Sequence, residues 1–100
     1  MLLIEGWLKL ASGEFEKVRE QAIAMVEATN QEEGCIHYSF AQDIADPDLI
    51  RISERWASQE ALAAHSASAH MADFNKAMGS VQREAADLRL YSAEELRKLM

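Results

Sequence analysis

The sequence predicts an α+β fold, a ferredoxin-like split β-α-β arrangement built on one antiparallel sheet. Three observations lead there. Four short segments alternate apolar and polar residues at a period of two, the pattern of half-buried strands. Segments with apolar residues three and four apart separate the first strand from the second and the third from the fourth. The single proline, Pro47, lies in an acidic turn, Asp43 to Asp48, that joins the second and third strands as a hairpin.

The elements follow in order. Leu2 to Leu10 sets Leu3, Glu5, Trp7 and Lys9 against Leu2, Ile4, Gly6, Leu8 and Leu10, which reads as a first strand. Ser12 stands where it can cap a long amphipathic helix carrying Phe15, Val18, Ala22, Met25, Val26 and Thr29 on one stripe. That helix ends near Asn30, and Glu32, Glu33 and Gly34 break the pattern. From Cys35 to Gln42, Ile36, Tyr38 and Phe40 share one face of a second strand, with Cys35, His37, Ser39 and Ala41 on the other. Leu49 to Trp56 is the third strand, with Ile50, Ile52, Glu54 and Trp56 on one face. Ser58 and Ser68 are N-cap residues for Gln59 to Ser66 and Ala69 to Met78, two short helices or one bent one, with Gly79 as the stop. Asp87 to Tyr91 is a short fourth strand. Ser92 with Glu95 forms a capping box for a final helical tail over about 93–100.

One hundred residues, 49% hydrophobic and 27% charged, describe a single soluble domain spanning 1–100 with one core. The longest apolar run is far shorter than a membrane span, and nothing at the N-terminus reads as an export signal, so a cytoplasmic location with no membrane span is expected. A lone cysteine, Cys35, fits a reducing compartment. Seventeen acids against ten bases give a net charge of −7, which repels nucleic acid phosphates and anionic lipid surfaces. Nucleic acid is therefore excluded as a partner; a small molecule or a second copy of the chain is expected. The first strand carries large apolar groups on both faces, Leu3 and Trp7 against Ile4, Leu8 and Leu10. With helices on one side only, the other side would face water, so a homodimer packed sheet against sheet is expected.

Several short motifs occur in a fixed order. Glu32-Glu33-Gly34-Cys35 leads into Tyr38; Glu54 and Trp56 precede Ser58; Ala64-His65 is followed by His70-Met71 ahead of Phe74. Together they resemble the antibiotic biosynthesis monooxygenase family, especially its quinol monooxygenase-like branch, over nearly the whole chain. The resemblance implies a dimeric α+β barrel with a pocket between sheet and helices. In that pocket molecular oxygen would react with a small quinol or electron-rich aromatic without metal, flavin or haem. Haem-degrading relatives place an asparagine on the first strand, absent from Leu2 to Leu10, and their later tryptophan and histidine positions fall near His65 and Asn75. Relatives that hydroxylate polyketide aromatics place an asparagine where this chain has Ile52. Both departures argue against those substrates.

The residue types carry chemistry of their own. Glu54 and Trp56 point to one face of a strand, so the pair is either a polar pocket wall or core plus a salt bridge to Arg51, Lys76 or another base. A histidine can take the proton of a phenol or quinol, whose anion reacts with oxygen far more readily than the neutral form. His65 and His70 are the candidate bases, unless they serve as helix-end or backbone partners; His65, at a helix end, is expected to be nearer solvent. On one continuous helix they would stand about 140° apart, off a common stripe. Metal ligation would require a break at Ser66 to Ala69 that swings both rings inward with Glu54 or Asp73, so no resident metal or other cofactor is expected. Tyr38 is a candidate for binding a substrate oxygen or for a structural hydrogen bond. Phe74 and Met78 either line the pocket or pack the core. Cys35 has no basic neighbour and reads as an inert buried thiol. The same fold also serves non-catalytic binding or sensing dimers and non-oxygenating isomerases, which remain alternatives.

Overall fold

The computed structural model describes residues 1–100. Strand β1 (Leu2–Leu10) runs into a short 3-10 turn (Glu14–Lys17) and helix α1 (Arg19–Asn30). Strands β2 (Cys35–Gln42) and β3 (Leu49–Trp56) follow, then helices α2 (Gln59–Ser66) and α3 (Ala69–Met78), and finally β4 (Arg83–Ser92). The sheet order is β2-β3-β1-β4 and every pairing is antiparallel, the ferredoxin-like arrangement expected. No helix is long and apolar enough to cross a membrane.

Alternation explains which side chains meet the helices. Leu2 pairs with Trp56 and Ile4 with Glu54, so these residues share the helix-facing side with Tyr38, which pairs with Glu54 from the other edge. Ala22, Met25, Tyr38, Trp56 and Phe74 form the buried cluster between sheet and helices. The opposite face of β1, with Leu3 and Trp7, has no helix over it.

Four local expectations are corrected. The helix does not start at Ser12: Gly13 takes a left-handed conformation (φ 74°), and its N–H donates to Asp48. A 3-10 turn then closes through the Val18 N–H to Phe15, and Val18 itself leaves helical geometry (φ −123°), so α1 begins only at Arg19. On β2 a register shift between Cys35 and His37 turns Cys35 toward the core and leaves Ile36 half exposed, reversing the two positions. β4 is longer than Asp87 to Tyr91, because backbone pairing along the whole of β1 recruits residues with no alternating pattern of their own. The tail is not helical. Sheet-like bonding continues past Ser92, where the Ala93 N–H donates to the Met1 carbonyl, and the remaining residues are too few to sustain an unpacked helix.

One glycine is dictated by close approach. A Cβ on Gly6 would stand 1.9 Å from the Asp87 carbonyl oxygen, so the β1–β4 contact admits no side chain there.

Candidate functional site

The chain breaks between α2 and α3, and the break makes the site. Ser68 caps α3 by accepting the Met71 N–H, while its own hydroxyl and N–H both donate to the His65 carbonyl, at 2.7 and 3.0 Å. This corner cancels the 140° separation of a continuous helix. The His65 and His70 rings come to 6.0 Å, and both face Glu32 from the turn after α1. His65 Nδ1 lies 3.2 Å from Glu32 Oε2, and His70 Nε2 lies 2.6 Å from Glu32 Oε1. The second approach is out of line, and both His70 Nε2 and Glu32 Oε2 are buried without a hydrogen-bond partner. The break at Ser66 to Ala69 that bringing both rings inward requires is present. The third member is neither Glu54 nor Asp73 but Glu32.

Glu32 reaches the histidines because Gly34 takes a left-handed conformation (φ 83°) and packs so closely on α2 that a Cβ would meet the Ala61 Cβ at 2.5 Å. The Ala57 N–H donates to the Gly34 carbonyl, tying this turn to the end of β3. At the end of α1, the Asn30 side chain donates to the Tyr38 carbonyl and accepts the Tyr38 N–H, clamping α1 onto β2 beside the cluster.

The histidines abut an aromatic wall. The His65 ring lies 4.8 Å from Trp56 and 5.2 Å from Tyr38, and Tyr38 meets Trp56 edge-on at 6.3 Å. Phe40 continues the wall to Phe74. Trp56 has no exposed surface and Phe74 is buried, while Met78 packs partly buried against the same cluster. Within one chain these three side chains are therefore core. His65 is only 4% exposed, so it is not the histidine nearer solvent; the His70 side chain, at 27%, is.

Glu54 is buried and takes the Trp56 indole N–H at 2.9 Å rather than a salt bridge; Arg51 instead pairs with Asp43. Burial raises the Glu54 carboxyl above its ordinary range, with the Trp56 N–H and the nearby His65 pulling the other way. Burial likewise holds the Tyr38 phenol far above its usual value, reinforced by Glu54 and Glu32, so Tyr38 stays protonated as a hydrogen-bond group. Cys35 is also raised, by burial and by the same two carboxylates, which fits an unreactive thiol. A separate apolar cavity of about 290 Å³ lies against α1, lined by Phe15, Ala22, Val26, Phe40 and Ile50, and it shares Phe40 with the aromatic wall.

Of the residues singled out from sequence, His65, Tyr38 and Trp56 lie in one ring-to-ring contact set. His70 joins it through His65, and Glu54 through Trp56. No residue-type or spacing signal in the sequence marks Glu32, Asn30 or Ser68 as part of a site. The only sequence signal for Glu32 was its place in the Glu32-Glu33-Gly34-Cys35 segment.

Comparison with known proteins points one way. The family model described as antibiotic biosynthesis monooxygenase matches residues 1–77. No curated protein matches the sequence. Among solved structures, a candidate antibiotic biosynthesis monooxygenase from Deinococcus radiodurans superposes with a TM-score of 0.86 at 24% identity, over 100% of this chain and 99% of that one. A second antibiotic biosynthesis monooxygenase gives 0.84 at 25% identity over 95% and 100% of the two chains. A Bacteroides thetaiotaomicron protein of unknown function, described as a candidate oxidoreductase, gives 0.74 at 27% identity over 90% and 92%.

Proposed function

Because the chain belongs to the antibiotic biosynthesis monooxygenase family, we propose that it is a cofactor-independent monooxygenase acting on a small quinol or similarly electron-rich aromatic, with His70 as proton acceptor. The observation that carries this reading is the Glu32, His65 and His70 cluster set against the wall of Tyr38 and Trp56. The His70 ring is the more exposed of the two imidazoles and so the nearer to an incoming substrate, and Glu32, 2.6 Å from its buried Nε2, is its positioning residue. Removing that proton converts the quinol to an anion that oxygen oxidises readily. The overall balance needs no outside reductant: quinol plus O2 gives a hydroxylated quinone plus water, the electrons coming from the substrate.

The working unit is proposed to be a cytoplasmic homodimer. The helix-free sheet face with Leu3 and Trp7 supports this, as does Tyr91 on the edge strand β4, which pairs with Leu3 and is 44% exposed. Interfaces of this kind bury about 2,000 Å² or more in total.

The test is oxygen uptake by the purified protein with menadiol in the presence of a chelator. Oxygen consumption that falls about 10²- to 10⁴-fold in His70→Ala, with the melting temperature kept, supports the reading. A quinol that raises the melting temperature without oxygen uptake identifies a binding or sensing dimer instead.

A further inference from the structure

We propose that Glu32, His65 and His70 form a binding site for one divalent transition-metal ion per chain, of the zinc or cobalt class. The donor set is two imidazoles and one carboxylate, whose nearest donor atoms all lie within 4.8 Å of one another. Donors bound at about 2.0–2.1 Å in a tetrahedral shell stand about 3.3–3.4 Å apart. The observed 3.2 Å from His65 Nδ1 to Glu32 is close to that spacing and the 2.6 Å from His70 Nε2 to Glu32 falls short of it, so an outward shift of the His70 and Glu32 side chains would open the shell for an ion.

A second observation points to a missing occupant. His70 Nε2 and Glu32 Oε2 are buried and make no well-formed hydrogen bond, their nearest approaches being the ion-pair contacts of 2.6 Å to Glu32 Oε1 and 3.2 Å to His65 Nδ1, although polar atoms in such places are almost always paired. An ion between the three groups would engage both atoms. Imidazole nitrogens select borderline ions such as zinc, cobalt or nickel over magnesium and calcium, which take oxygen ligands. Three protein ligands leave a position open, and the partial exposure of His70 gives an ion a way in.

The preparation is rigid. His65 is held between Trp56 and Tyr38, Ser68 fixes the angle at which His70 arrives, and Gly34 sets the turn carrying Glu32. Such an ion would occupy the lone pairs that a proton acceptor needs. Binding and the proposed proton transfer therefore exclude each other.

The test reads binding alone, so failure of the quinol reaction does not bear on it. The full chain, stripped with a chelator and dialysed, is titrated with Zn²⁺ by calorimetry and with Co²⁺ by visible absorption. Expected are one ion per chain, no heat with Mg²⁺, and visible Co²⁺ bands. His65 is too buried for a clean variant, so His70→Ala and Glu32→Gln are compared with a His37→Ala control. Affinity should fall at least about tenfold in the first two and stay unchanged in the third. Absence of 1:1 binding, or wild-type affinity in either His70→Ala or Glu32→Gln, overturns the proposal.

Discussion

The Trp56 indole donates to the Glu54 carboxylate across 2.9 Å, two positions apart on one strand and both buried. The bond anchors a carboxyl group whose burial disfavours its charge. Its folded pKa lies above the unfolded value of about 4.3, so the stability it contributes is full below that value and lost as pH rises through the folded pKa. Glu54→Gln keeps an acceptor for the indole and carries no charge. The melting temperature of the variant should therefore gain on that of the parent as pH rises from about 4 to 8. A constant difference across that range would show that Glu54 titrates normally.

Two left-handed glycines differ in their surroundings. Gly13 has nothing within 4 Å of where a Cβ would stand, whereas Gly34 would drive one into Ala61. Gly13→Ala should cost about 1–2 kcal/mol, the backbone penalty alone. Gly34→Ala should cost clearly more, because α2 must also move. Urea unfolding of the two variants measures the difference.

Ser68→Ala removes both a helix cap and a bond to the His65 carbonyl. A loss of about 1 kcal/mol, or a fall of about 4–8 °C in melting temperature, is expected. Ser66→Ala, whose exposed hydroxyl only bonds back to Leu62, should change little by the same thermal measurement.

Light scattering at micromolar concentration should return twice the 11.2 kDa chain mass. Trp7→Arg places a charge on the helix-free sheet face and should yield a monomer with unchanged far-ultraviolet circular dichroism. A wild-type monomer would remove the homodimer from the account.

The strands and the two serine caps of α2 and α3 were legible because alternation and capping are local signals. The same locality misled at Ser92, where a capping box was outcompeted by pairing between Ala93 and Met1, ends of the chain that no window of sequence compares. Cys35 and Ile36 exchanged faces because a bulge shifts the register without changing composition. Glu32 was hidden for a related reason. Thirty-three residues separate it from His65, and their meeting depends on a left-handed glycine and a helix corner. The histidines are legible as candidates by residue type, but whether their rings meet depends on the angle of the corner at Ala67 and Ser68, which helical periodicity does not fix.

The two residues between α2 and α3, Ala67 and Ser68, act as a phase setting for everything downstream on α3. Inserting one residue there would advance that helix by about 100°, carrying His70 away from Glu32 while every strand pairing stayed intact. Chemistry in this fold is thus adjustable by loop length at little architectural cost. Chains that share this backbone need not share a reaction, and the length of the α2–α3 corner is the place to look for the difference.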